Sequence, residues 1–247
     1  MIVKPRRLVT TILNKLSKIK GGSTAVTDRR IIKDYTENPD FPFLVSFPRT
    51  GSHWLRMLME LYFERPSLVR IFYFPERKDY LCLHTHDLNL DVFRKNVIYL
   101  YRDPIPTIYS QMKYENENLN DISRIKYWTE LYKRHLKKWL IEETVSEKKT
   151  IIRYECLKQD LSMEFKKIAD FFGEGFDRDK VLSVAERISK VEVKNKTIHD
   201  KKVVNLAPTY ARGRQIFFDK YGSYITGHLF SEEPVLENFF RPMSSNI

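Results

Sequence analysis

An α/β fold with a central parallel sheet is predicted by three observations. Short apolar runs at 43–47, 80–84, 97–101 and 150–154 alternate with segments of helical period. The first run passes through Pro48 into a turn carrying Thr50, Gly51 and Ser52, then into Trp54-Leu55-Arg56-Met57-Leu58-Met59, which reads as strand, loop, helix. The run at 97–101 ends in Arg102-Asp103-Pro104, with an Asp suited to cap a helix and a Pro suited to its first turn. Strands that alternate with helices belong to a parallel sheet covered on both faces.

The elements follow in order. Leu8, Val9, Ile12, Leu13, Leu16 and Ile19 recur at helical spacing among six basic residues within 1–20. That pattern predicts an amphipathic helix, packed on its own domain or a partner subunit, or lying on an anionic membrane. Gly21-Gly22-Ser23-Thr24 reads as a short link, so the chain divides into a basic segment with its linker, 1–24, and a single domain, 25–247. Strand 43–47 leads to helix 53–63, and strands near 80–84 and at 97–101 follow. A helix opens at about 104. A longer one spans 123–143, with Ile125, Trp128, Tyr132, His135 and Trp139 along one face. Strand 150–154 and helix 161–172 come next. The stretch 174–210 is charged and irregular apart from a helix near 178–190.

A chain of 247 residues suits one such domain. Its two cysteines, Cys82 and Cys156, make no disulfide framework and have no metal-ligand spacing, so a metal-free cytoplasmic enzyme with reduced thiols is expected. No apolar run is long enough to cross a membrane. The net charge of +11 suits nucleic acid, an anionic membrane face or a polyanionic ligand. The basic residues are scattered, and no zinc-finger, RNA-recognition or helix-turn-helix pattern occurs. No nucleic-acid partner is therefore expected, and the charge points to an anionic ligand without choosing one.

The turn at 48–54 has the chemistry to hold such a ligand. Strand, loop and helix present backbone N–H groups and a helix N-terminus to an anion. Arg49 adds a fixed charge and a planar donor fork. It is not the Gly-x-x-x-x-Gly-Lys-Ser/Thr loop of ATP and GTP enzymes, since His53-Trp54 stand where Lys-Ser would be. Local sequence alone leaves an ordinary strand-to-helix turn open.

A second segment makes the pattern specific. Pro48-Arg49-Thr50-Gly51-Ser52-His53-Trp54 resembles the Pro-Lys-Ser-Gly-Thr-Thr-Trp loop of the sulfotransferases that use 3′-phosphoadenosine 5′-phosphosulfate (PAPS). Val97 to Ser110 is similar to that family's 3′-phosphate segment, an apolar strand, an Arg and a Ser eight residues on, here Arg102 and Ser110. Leu83-His84-Thr85-His86-Asp87-Leu88 resembles its Lys-Thr-His-Leu segment, Ile151 to Leu157 its Tyr-Glu-x-Leu strand end, and Ala211-Arg212-Gly213-Arg214 its late Arg-Lys-Gly loop. Tyr132-x-x-His135-x-x-x-Trp139 is a fainter echo on a helix. The likeness spans about residues 40 to 225.

The resemblance implies a P-loop-like sulfotransferase architecture and transfer of a sulfonate from PAPS to an acceptor hydroxyl or amine, releasing 3′-phosphoadenosine 5′-phosphate (PAP) without a metal. It implies that His86 is the base, with Arg49 on the leaving 5′-phosphate and Thr50, Gly51, Ser52 and His53 around it. Trp54 would stack on adenine and Tyr154 lie near it. Arg102, Ser110, Arg212, Gly213 and Arg214 would hold the 3′-phosphate. Two residues depart from the pattern. Arg49 replaces a Lys and cannot give up a proton, so it would act by charge alone. His84 also replaces a Lys, and along a strand it shares a face with His86, so it is a candidate for part of the catalytic role. A non-catalytic nucleotide- or glycan-binding module and a P-loop phosphotransferase are the competing classes. The acceptor, a glycan, lipid-linked compound or small molecule, is not legible. Its pocket is expected from loops 64–80, 113–124 and 190–211, with Tyr73, Phe74, Tyr80, Tyr114 and Tyr127 as aromatic candidates. Oligomeric state is not legible either, and peripheral membrane contact would run through residues 1–20.

Overall fold

Two apolar layers sandwich one sheet, because alternate residues of its central strands are apolar on both faces. A computed structural model describes residues 23–200 and 202–241. The amphipathic helix expected at 1–20 lies outside the described residues. In chain order the elements are β1 (Thr24–Ala25), α1 (Arg29–Glu37), β2 (Phe43–Ser46), α2 (Ser52–Phe63), β3 (Arg70–Ile71), β4 (Leu83–Thr85) and β5 (Asn96–Tyr101). Then come α3 (Pro104–Glu115), α4 (Ile122–Leu136), β6 (Lys148–Arg153), α5 (Tyr154–Gln159), α6 (Leu161–Phe172), α7 (Arg178–Glu186), α8 (Lys190–Lys196) and α9 (Pro208–Phe230).

The main sheet has the order β4-β2-β5-β6, all parallel, with Val45 opposite both Thr85 and Tyr99. Phe43, Val45, Phe47, Val97 and Tyr99 face one core, with Tyr132 and Trp139 of the helical layer. Leu44, Ile98, Leu100 and Ile152 face the other, with Leu55 and Leu58 of α2. Near-continuous apolar strands are what burial on both faces requires. The predicted α/β class and the four strands of the sheet are therefore present.

Three expectations need correction. Thr24, read as the end of a flexible link, pairs with Ile71 in a small antiparallel ladder. The helix at 123–143 is α4 continued by a π turn at Lys137–Ile141. The Arg-Gly segment at 211–214, expected in a loop, lies inside α9. Pro208 starts that helix, and Phe217, Tyr221, Ile225 and Leu229 recur every four residues on its buried face. That stripe outweighs the local cost of Gly213 in a helix, which is about 1 kcal/mol relative to alanine.

Candidate active site

The turn after β2 is built from two left-handed residues, Arg49 with φ +70° and Gly51 with φ +99°. Gly51 has a second reason to be glycine, because a Cβ there would lie 2.5 Å from the Tyr154 ring. Thr50 is fully buried, and its hydroxyl donates to the Phe47 carbonyl at 2.9 Å. Its side chain shapes the turn from within and is absent from the cavity wall. Ser52 opens α2, with no side-chain cap on the helix N-terminus.

The two segments read as nucleotide grips meet here. Arg49 Nε donates to Ser110 Oγ at 3.1 Å, and Arg102 Nη1 donates to the Arg49 carbonyl at 3.2 Å. The Arg49 guanidinium also donates to the Val203 carbonyl at 2.6 Å and lies over the Tyr114 ring. It thus points to Ser110, one of the residues expected at the 3′-phosphate. Arg102 stacks on Tyr154 at 4.5 Å, and Trp54 meets Tyr154 edge-on at 5.8 Å.

The strand end carrying Arg102 is clamped by α4. Tyr132 Oη accepts from the Arg102 N–H at 3.1 Å and donates to the Arg102 carbonyl at 2.5 Å. One turn on, His135 performs the equivalent task at His86. Burial pushes His135 down to about 3, so its ring is neutral. Its Nε2 donates to the His86 carbonyl at 2.9 Å, and its Nδ1 accepts from the Tyr99 hydroxyl at 2.9 Å. The Tyr-x-x-His spacing on α4 therefore fixes the backbone at two site residues. The sequence offers His135 only as part of a faint echo on a helix face.

His84 and His86 share one face of the β4 edge, as the strand period requires, with ring centroids 4.8 Å apart. Both use Ser46 on the neighbouring strand. His84 Nε2 is 2.9 Å from Ser46 Oγ, and His86 Nδ1 donates to the Ser46 carbonyl at 2.8 Å. A carbonyl only accepts, so the proton of a neutral His86 is on Nδ1 and the lone pair is on Nε2. Burial, followed by the adjacent His86, drives His84 well below the ordinary imidazole value. After His86 the chain turns through Asp87, φ +39°, whose buried carboxylate is held by Arg94 at 2.9 Å.

One cavity of about 2070 Å³ joins these groups. Arg49, Gly51, Ser52, His53, Trp54, His84, His86, Arg102, Ser110, Tyr154 and Arg214 line it. Arg212 and Gly213 do not; they lie elsewhere on α9, and Gly213 packs so closely that a Cβ would meet the Tyr109 hydroxyl at 2.6 Å. Of the aromatic candidates, Tyr114 reaches the cavity, with its hydroxyl on Asp200 at 2.7 Å. Tyr80 is buried in the core, Tyr127 packs on Trp128, and neither Tyr73 nor Phe74 is in the wall. Arg70, His199 and Asp200, all in the wall, fall in the loops 64–80 and 190–211 expected to form a pocket, although none was singled out there. Lys158, also in the wall, was not expected; it follows Tyr154 by four residues, a helical spacing that could have flagged it.

Solved structures share this fold at low sequence identity. Retinol dehydratase in complex with retinol and PAP matches with a TM-score of 0.50 at 16% identity, over 92% of this chain and 95% of that one. The same enzyme with androsterone and PAP matches at 0.49 and 16%, over 92% and 94%. A mouse sulfotransferase complexed with PAP matches at 0.49 and 18%, over 86% and 94%. No curated protein matches significantly by sequence. The family model for the sulfotransferase domain matches residues 77–207, more than half of the chain. That span contains His84, His86, Arg102, Ser110 and Tyr154, and the chain belongs to the sulfotransferase-domain family.

Proposed function

We propose that the protein transfers the sulfonate of PAPS to a hydroxyl or amine of a small-molecule or glycan acceptor. The observation that carries this reading is the meeting of the Arg49 turn with Arg102 and Ser110 on one cavity that also contains His86. Arg102, Ser110 and Arg214 would hold the 3′-phosphate. The turn N–H groups, Ser52 and His53 would take the 5′-phosphosulfate at the start of α2. Arg49, lying between the two, would share the charge of both. Trp54 and Tyr154 would enclose the adenine.

In the reaction the acceptor oxygen or nitrogen forms a bond to sulfur. The bond from sulfur to the bridging oxygen breaks, and its electron pair stays with the 5′-phosphate. His86 Nε2 takes the acceptor proton. The Arg49 charge and the helix N-terminus would stabilise the phosphate as it leaves. His84 is uncharged and bonded to Ser46, which supports a role in orienting the acceptor or the sulfonate over one as a second base.

The test is to supply radiolabelled PAPS to purified protein with an extract of the source cells and identify what becomes labelled. Label should appear in an acceptor with wild-type protein and be lost with His86→Ala. Tight PAP binding without transfer to any acceptor, unchanged by His86→Ala, would instead mark a binding module.

A further inference from the structure

Arg70 and His53 form a contact for which the transfer scheme above has no role. Arg70 Nη1 lies 2.7 Å from His53 Nε2. A guanidinium can only donate, so His53 Nε2 must accept. The His53 ring is then neutral and its proton sits on Nδ1, the nitrogen turned away from Arg70. His53 is the second residue of α2, in the turn that faces the cavity, and both residues line that cavity.

The contact is built in from several sides. His53, Arg56 and Glu60 lie on one face of α2 at helical spacing, and that face holds the segment 67–73. The Glu60 carboxylate accepts from the N–H groups of Ser67 at 3.0 Å, Phe72 at 2.9 Å and Tyr73 at 2.8 Å. Arg56 donates to the Arg70 carbonyl and lies over the Phe72 ring, which meets the His53 ring edge-on. β3, which carries Arg70, is further tied to β1. Arg70 therefore reaches His53 from a backbone fixed to the same helix. Burial, then the Arg70 and Arg56 charges, hold His53 well below the ordinary imidazole value, which agrees with a neutral ring.

We propose that Arg70 is a positioning residue: it locks His53 in its Nδ1–H form, so that an uncharged imidazole donates to the phosphosulfate of the bound donor. The family loop that this turn resembles has a threonine at this place, whose hydroxyl can donate without help. A histidine can present either nitrogen, and Arg70 removes the choice. The inference rests on the donor reading given above.

Two measurements test it. Nitrogen NMR of histidine-labelled protein should show His53 with Nδ1 protonated and Nε2 bare across about pH 6 to 8. In Arg70→Met the proton should redistribute to Nε2, and Arg70→Lys, which keeps a donor, should restore the wild-type signature. Calorimetry with PAP should show about tenfold weaker binding for Arg70→Met, the scale of a lost hydrogen bond to a charged group. The same substitution in a His53→Thr background should change affinity less than about twofold, because Arg70 would then have nothing to orient. An equal loss in both backgrounds, or a wild-type ring protonated on Nε2, would overturn the proposal. A wild-type protein with the Nδ1–H ring that binds no PAP would overturn the donor reading while leaving the tautomer assignment in place.

Discussion

Two parts of the cavity wall are built differently. At the turn, Arg49, Arg102, His84 and His86 each have a named partner on a strand end or helix, and α4 clamps the backbone at two of them. Another part of the wall is exposed and apolar, and includes Leu88, Phe93 and Leu206, which are 38%, 56% and 42% exposed. His199, also in the wall, has neither ring nitrogen hydrogen-bonded within the described residues. The first part is organised before anything binds, as electrostatic stabilisation of a transferring group requires. The second presents exposed apolar surface to whatever enters. On the proposed function the turn would hold the donor and set the reaction, and the apolar part of the wall is where relatives can diverge.

Substitutions in each part should separate these roles. The largest effect is expected for His86→Ala, which should lower kcat by roughly a thousandfold, the scale of a lost general base, and leave PAP affinity within about threefold. A large loss of PAP affinity would show that His86 shapes the donor site and would blur the comparison. Next, Arg102→Ala removes a cation, its stacking on Tyr154 and its bond to the Arg49 carbonyl. PAP binding by calorimetry should weaken by about a hundredfold. Gly51→Ala meets both a left-handed backbone and the Tyr154 ring, at a cost of about 1–3 kcal/mol. Its melting temperature should fall by several degrees and PAP binding should weaken with it. Phe93→Ser, in the exposed apolar part of the wall, should leave PAP affinity within about twofold and raise the acceptor KM about fivefold, the scale of one lost apolar contact. Equal effects of Phe93→Ser and Arg102→Ala on PAP would erase the distinction.

Stability should also depend on pH in a stated direction. The folded-state values of His53, His84 and His135 all lie below the ordinary 6.5, with His135 at about 3. As pH falls through about 6.5 the unfolded chain takes up these protons first. Their contribution is fully present above about pH 6.5 and is lost as pH falls toward the folded values. The melting temperature should therefore drop between pH 7 and pH 5. A flat profile there would mean that the buried imidazoles are not neutral.

The turn and its neighbouring strand end were legible in sequence because each part is local. A strand, a left-handed turn with Gly51 and a helix start occupy about ten consecutive residues, and Arg102 and Ser110 sit one strand end and two helical turns apart. Four parallel strands were readable as apolar runs because both faces of the sheet are buried. What escaped depends on contacts distant in sequence. Arg70 gains its place from α2 and β1, and His135 gains its importance from the His86 carbonyl, 49 residues away. The stripe at Phe217, Tyr221, Ile225 and Leu229 was present in the sequence. The likeness of 211–214 to a loop hid it, and the helical period prevailed. The acceptor itself is not legible, because it is a molecule outside the chain.

The most direct test of the donor site compares PAP with 5′-AMP, which lacks the 3′-phosphate, by calorimetric titration of wild-type protein and of Arg102→Ala/Ser110→Ala. PAP should bind wild type at least about a hundredfold more tightly than 5′-AMP, and the doubly substituted protein should lose most of that preference. Equal affinity of the two nucleotides for wild type, or a preference for PAP that survives both substitutions, would contradict the account.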